Sequence, residues 1–251
     1  MHPARIAELL QPFLSPIPNP CHSEPAKAGE ACPERSRKPA LSLPKGEPAL
    51  LSPVQLRSIS TYIDILQRWN ARINLTAIRD PEEIVTRHFG ESLFAARHLF
   101  PRSSASSASS AVKAFEVADL GSGAGFPGIP IKLWAPNISL TLIESNQKKA
   151  TFLREVARAL TLMDIDIQNA RAETLPPSTF DLVTLRAVER LAQTLPVAAN
   201  LLAPGGRLAL LIASSQLEAI RSTLPNLTWA APIPIPMSQS RLLLVGSTEP
   251  T

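Results

Sequence analysis

The sequence predicts an α/β fold: a doubly wound sheet of seven strands, preceded by a small helical domain. Three observations carry this. Residues 119 to 128 read Asp-Leu-Gly-Ser-Gly-Ala-Gly-Phe-Pro-Gly, directly after the largely apolar run 114–118. That is how a strand turns on glycines into a helix. From Ala114 onward, short apolar runs alternate with helical patterns, as expected for a sheet with helices on both faces. Ahead of it, Leu56, Ile59, Ile63, Leu66, Trp69 and Ile73 recur at spacings of three and four, which makes one apolar helix stripe.

The elements follow in order. Residues 1–12 suit a short helix. Ten of the first fifty residues are proline, and Cys21 to Glu47 mix Lys, Arg, Glu, Ser and Pro with few large apolar groups. Such a stretch buries too little surface to offset its chain entropy, so 15–53 reads as a disordered insertion and 1–52 as short helix plus insertion. A helix begins at Pro53. A second begins at Asp80-Pro81-Glu82-Glu83, with Asp80 as N-cap, Pro81 in the first helical position and Glu83 completing a capping box. Val85, Phe89, Leu93 and Leu99 mark its inner face. These helices form the domain 53–102. The Ser/Ala tract at 103–112 reads as a linker, and 113–251 as the sheet domain. Strands are expected near 115–120, 139–143, 165–169, 180–185, 207–213, 228–235 and 241–246, and helices near 128–134, 147–160, 189–203 and 215–223. Pro204-Gly205-Gly206 stops one helix before a strand. The last two strands look like a hairpin pair, which suits seven strands better than six parallel ones.

A chain of 251 residues fits one ordinary domain plus an extra piece. Its net charge of +4 and pI near 9.4 permit a nucleic-acid partner. No apolar run approaches a membrane span, and no secretory leader pattern is visible. Cys21 and Cys32 both sit in the Pro-rich segment, so no metal site is expected. The expectation is a cytoplasmic protein, monomeric for want of an oligomerisation signal.

The glycine loop implies a nucleotide-type cofactor, since free N–H groups open the following helix. Gly123-Ala-Gly125-Phe-Pro-Gly128 formally fits GxGxxG, a weak match for a dinucleotide site. The form Asp119-x-Gly121-x-Gly123-x-Gly125 favours S-adenosyl-L-methionine and the Rossmann-like class I methyltransferases. Pro127 also removes an N–H that a pyrophosphate would use. Dinucleotide binding and a purely structural turn stay open as alternatives. Glu144 ends the second strand, 23 positions after Gly121, where an acid accepts ribose hydroxyls. Ala172 and Glu173 follow the third strand, where such sheets meet adenine. Arg186 ends the fourth strand at the same edge and could reach the methionine carboxylate or an RNA phosphate. The segment Phe180-Asp-Leu-Val-Thr-Leu-Arg-Ala lacks the Asn/Asp-Pro-Pro-Tyr/Phe motif of exocyclic-amine methylation. The cysteine nucleophile of pyrimidine C5 methylation is also missing. What remains includes atoms already nucleophilic, such as guanine N7, where alignment alone supplies roughly 7–11 kcal/mol.

At this point the chain resembles one family: RsmG, once called glucose-inhibited division protein B. The resemblance rests on Leu66 to Asp80 with its Trp69-Asn70 and Asn74-Leu75-Thr76, on Arg87-His88 with Glu91-Ser92, on Asp119 to Pro130, and on Leu185-Arg186-Ala187. It spans about residues 53 to 246. It implies methylation of a guanine N7 in 16S ribosomal RNA, with 16S rRNA or the small subunit as partner. Carried over by position, the cofactor contacts are Gly121, Phe126, Ala172, Glu173 and Arg186, with Gly123 and Glu144 from the loop reading. Glu144 stands where the family more often has aspartate. Leu211-Ile212-Ala213 lacks the family's lysine, and Leu185 replaces a common serine. No catalytic proton-transfer residue is assigned.

Three features remain open. His88 on an apolar face is ordinarily a packed histidine, against a direct RNA or catalytic role. Arg68, Arg72, Arg79, Arg87 and Arg97 make either a solvated face or phosphate contacts. Phe126 and Trp134 suit cofactor and core rather than base stacking. The competing functions are a methyltransferase of another substrate, a dinucleotide oxidoreductase, and a non-catalytic RNA-binding relative.

Overall fold

The computed structural model describes residues 1–15, 51–101, 114–187 and 191–249. Most of the Pro-rich segment, including Cys21 and Cys32, lies outside the described residues, as does the tract 103–112.

Helix α1 (Pro3–Leu14) opens on His2, whose ring nitrogen accepts the Ala4 N–H at 3.2 Å. It runs two residues past expectation because Phe13 and Leu14 continue the buried face of Ile6 and Leu10. Helix α2 (Pro53–Asn70) begins on a full capping box: Gln55 N–H donates to Ser52 Oγ at 3.2 Å, and Ser52 N–H to Gln55 Oε1 at 2.8 Å. Ile59, Ile63 and Leu66 are buried as the stripe predicts, and Tyr62 joins them. Helix α3 (Pro81–Glu83) opens on Asp80, which accepts the Glu83 N–H at 2.8 Å. The capping box expected there is half formed. Glu83 lies 3.6 Å from Arg87, a charged partner one turn on. The chain then widens into a π-helical stretch, Ile84–Gly90, before α4 (Glu91–Leu99).

The sheet holds β1 (Glu116–Leu120), β2 (Ser139–Ile143), β3 (Ile165–Gln168), β4 (Phe180–Arg186), β5 (Leu202–Ala213), β6 (Thr228–Trp229), β7 (Ile233–Pro234) and β8 (Arg241–Ser247). Their order is β3-β2-β1-β4-β5-β8-β6, with β7 also on β8. β1 to β5 are parallel, and β8 is antiparallel to its neighbours. The single strand expected over 228–235 is thus two pieces at one sheet position. Residues 230–232 face only Leu244 and Val245, an extra residue that bulges the edge. Pro232 and Pro234 cannot donate to a ladder there.

Helices α5 (Gly128–Trp134), α6 (Gln147–Ala159), α7 (Leu191–Leu201) and α8 (Leu217–Thr223) complete the layers. Along each strand alternate residues face opposite ways. Val117, Leu140, Leu182 and Leu211 join one buried cluster, while Ala118, Ile143, Val183 and Leu210 join another beneath α7 and α8. The first cluster also contains Ile6, Leu10, Ile59, Tyr62, Phe89 and Phe152. The N-terminal helices therefore share one core with the sheet. No helix among the described residues is long and apolar enough to cross a membrane.

Candidate functional site

The strand order reverses between β1 and β4, the place where open parallel sheets leave a crevice for ligands. The glycine loop fills it. Gly121, Gly123 and Gly125 have φ of 70°, 55° and 83°, a region that costs other residues strain. The loop is tied on every side. Gly121 and Ser122 N–H donate to the Ile143 carbonyl at 3.0 and 3.1 Å. Gly123 N–H donates to Glu144 Oε2 at 3.0 Å, and Asn146 N–H to Glu144 Oε1 at 2.7 Å. Glu144 is therefore where expected, with both oxygens already engaged once. Asp119 braces the far side: its buried carboxylate accepts Gly128 N–H at 3.1 Å and Thr184 Oγ1 at 2.9 Å. Burial pushes that carboxyl up to about 6, against the lowering effect of these hydrogen bonds.

A clamp from α2 holds the loop from above. The Tyr62 hydroxyl donates to the Ala124 carbonyl. Its ring stacks on Phe126 at 5.3 Å, and Phe126 stacks in turn on His88 at 4.8 Å. Phe89 meets the Phe126 edge at 5.0 Å. The Phe126 ring is thus packed against helices. His88 Nε2 lies 2.8 Å from Thr76 Oγ1, and Asn70 Oδ1 accepts the N–H groups of Leu75 and Thr76 at 2.9 and 3.1 Å. The Asn-Leu-Thr sequence is thereby a turn wrapped on Asn70 that carries a hydroxyl to His88. Burial, then the charges of Arg186, Arg87 and Arg241, lower the His88 pKa to about 3, so the imidazole is neutral.

Two cavities flank this loop. One, of about 320 Å³, is lined by Leu120, Gly121, Ile143, Ser145, Ala172 and Glu173, with Gln193 and Thr194 across from them. It gathers Gly121, Ala172 and Glu173 as expected, next to Gly123 and Glu144. The other, of about 510 Å³, lies over the ends of β4 and β5 and the start of β8. Arg186 lines this second cavity. Its Nη2 is 3.1 Å from Glu91 Oε2 and donates to the Arg87 carbonyl at 2.6 Å. Glu91, 2% exposed, also meets Arg87 at 3.2 Å and Arg241 at 3.1 Å. Burial lowers the Arg186 pKa to about 10, which leaves it charged at neutral pH. Sequence reasoning missed Tyr62, Glu91 and Arg241. Tyr62 carried one signal, as the chain's only tyrosine in the middle of the α2 stripe; Arg241 carried none.

Sheet order, glycine loop and antiparallel last strand together define a class I methyltransferase fold. Among solved structures, ribosomal protein L11 methylase from Lactobacillus delbrueckii subsp. bulgaricus superposes with a TM-score of 0.52 at 18% identity, covering 65% of this chain and 79% of that one. TYW2 from P. horikoshii, in complex with MeSAdo, gives 0.51 at 14% identity, covering 64% and 63%. At such identities the likeness shows the fold alone.

The family is more specific. The model of rRNA small subunit methyltransferase G (GidB) matches residues 55–230, and the chain belongs to that family. A ribosomal RNA small subunit methyltransferase G from Xanthomonas campestris pv. campestris (strain B100) is 42% identical over 148 residues, 59% of this chain and 64% of the relative. Its counterpart in Stenotrophomonas maltophilia (strain K279a) is 43% identical over 162 residues, 64% and 68%. The matched part thus spans a little under two thirds of the Xanthomonas relative's length.

Proposed function

We propose that this chain transfers a methyl group from S-adenosyl-L-methionine to N7 of a guanine in 16S ribosomal RNA. The observation that carries the reading is the cleft at Gly121, in a chain of this family. A Cβ added at Gly121 would meet nothing within 4 Å, so the missing side chain leaves room on the cleft wall for a ligand. Gly121, Gly123, Glu144, Ala172 and Glu173 would hold the cofactor, with the Phe126 main chain closing the loop. When bound, it supplies an electrophilic methyl group. A carboxylate has about four lone-pair sites, and Glu144 has used one on each oxygen. The remainder can accept ribose hydroxyls.

Guanine N7 carries a free lone pair, so no residue has to remove a proton. The protein's task is to hold acceptor and donor in line, worth roughly 7–11 kcal/mol of barrier. Neutral, buried His88 is then a packing residue of the clamp and not an acid.

The test is methyl transfer from labelled S-adenosylmethionine to small subunits lacking their native N7 methylation, with mass spectrometry of the nucleosides. The expected product is 7-methylguanosine. Cofactor binding without any methylated nucleoside would overturn the substrate. A second reading, a non-catalytic RNA-binding relative, draws on Ile212, which lines the basic cavity where the resemblance leads one to expect lysine. Normal subunit binding with zero turnover would favour it. We also place the chain in the cytoplasm as a monomer, to be checked by sedimentation. We propose further that the segments 53–102 and 113–251 stay associated when cut within 103–112, because one buried cluster runs through both.

A further inference from the structure

The cavity over β4, β5 and β8 holds more positive charge than its surroundings balance. Arg87, Arg186 and Arg241 line it, against two carboxylates: Glu91, in contact with all three, and Glu83, 3.6 Å from Arg87. A buried cation without full compensation calls for an anion. One donor there is also unused: among the described residues, Arg186 Nη1 is buried without a hydrogen-bond partner, whereas Arg241 Nε lies 3.1 Å from Glu91 Oε2. The Arg186 side chain is only 6% exposed, so bulk water does not satisfy it. Ser238, Ser240 and Gln216 line the neighbouring wall.

Position separates this cavity from the cofactor cleft. The cleft lies over β1 and β2, and the basic cavity is centred near β5. At about 4.8 Å per strand the two centres are on the order of 10 Å apart.

Chemistry separates base from backbone. An arginine fork reads guanine through O6 and N7, which would occupy the lone pair that must attack. The methylated guanine is also cationic, and three guanidiniums beside it would oppose the reaction. A phosphodiester has neither conflict, and the planar fork matches its oxygens.

We propose that this cavity seats a phosphate of the RNA strand being methylated, held by Arg87, Arg186 and Arg241, with Glu91 as the positioning residue that gathers them. The proposal rests on the reading of the chain as an RNA methyltransferase.

The experiment is binding of a small-subunit rRNA fragment across a salt series, with the affinity for S-adenosylmethionine measured beside it. For Arg241→Gln and Arg87→Gln, RNA affinity should fall several-fold. The slope of log K against log salt should flatten by about 0.7–0.9 per lost phosphate contact. Arg241→Lys should keep the slope, because it keeps the charge. Cofactor affinity should be unchanged in all three. A drop in RNA affinity with an unaltered slope would overturn the seat in favour of a structural role. A fall in cofactor affinity at constant slope would give the arginines to the methionine carboxylate instead. If the variants behave as expected while the unaltered chain methylates no RNA, the seat stands and the proposed function fails. If that chain binds no RNA, both fail.

Discussion

The two cavities are made in opposite ways. The cleft at Gly121 is assembled mostly from consecutive elements, a glycine loop, the acid one strand over and the turn after β3, with Gln193 and Thr194 of α7 across from them. Its lining carries charges of both signs, Glu173 and Arg171, with Glu144 beneath the loop. The basic cavity draws Arg87 and Glu91 from the N-terminal helices, Arg186 from the middle of the sheet and Arg241 from its last strand. The first is stiff because backbone N–H groups hold it. The second is held by one buried carboxylate among three cations. A site of the first kind tolerates changes elsewhere in the chain; one of the second kind depends on every segment that feeds it.

The largest expected effect comes from Glu91→Gln. It leaves Arg186 and Arg241 without their paired carboxylate, Arg87 keeping Glu83, and should cost about 3–5 kcal/mol of stability in a urea titration. Retained stability would mean that the cluster is solvated and not buried. Next is Gly121→Val, which puts a branched side chain at φ 70° and into the cleft. Cofactor affinity should fall on the order of 100-fold, near 2.8 kcal/mol, while RNA binding holds; a joint loss would erase the distinction between the cavities. Tyr62→Phe removes the donor to the Ala124 carbonyl and should cost about 1–3 kcal/mol, read as an earlier denaturation midpoint.

The smallest effect is a change of shape with pH. Asp119 has a folded pKa near 6 against an ordinary 3.8. The stability that its protonated form contributes is complete below about 3.8 and is lost as pH rises through about 6, at no more than about 1.4 kcal/mol per pH unit. His88 acts oppositely: its stabilising neutrality is present above 6.5 and is lost as pH falls toward about 3. In Asp119→Asn the falling arm between pH 4 and 6 should vanish. Thermal melts across that range that match the unaltered chain would show that Asp119 is solvated.

Helices α5 and α6, and strands β1 to β4, lie within a residue or two of where periodicity put them, since each carries a local signal in glycines, caps or alternation. The glycine loop and its tie to Glu144 were equally legible, being built beside one strand–turn–helix. The edge strand was misread because Pro232 and Pro234 cost ladder bonds that hydropathy does not register. Of the basic cavity, the sequence singles out Arg87 and Arg186 but not Arg241. Arg241 looks like any arginine opening a strand, and the 150 positions between it and Glu91 hide their pairing from any local pattern. Phe126 was expected at the cofactor, yet its ring faces Tyr62 and His88, an arrangement set by tertiary packing alone.

The π-helical stretch at Ile84–Gly90 acts as a rotational spacer. Beyond it, the Glu91 N–H bonds to the His88 carbonyl, and the Arg87 carbonyl accepts from Arg186 Nη2. Removing one residue from this stretch would still leave an acceptable helix. Each residue of an α-helix turns the downstream face by about 100°, so Glu91 would swing away from its three arginines and Leu93, Phe94 and Leu99 would turn out of the core with it. A chain one residue shorter here would lose the arginine cluster and the packing of α4 together. Length at this turn is therefore fixed twice over, by the packing of α4 and by the reach of Glu91 to its arginines.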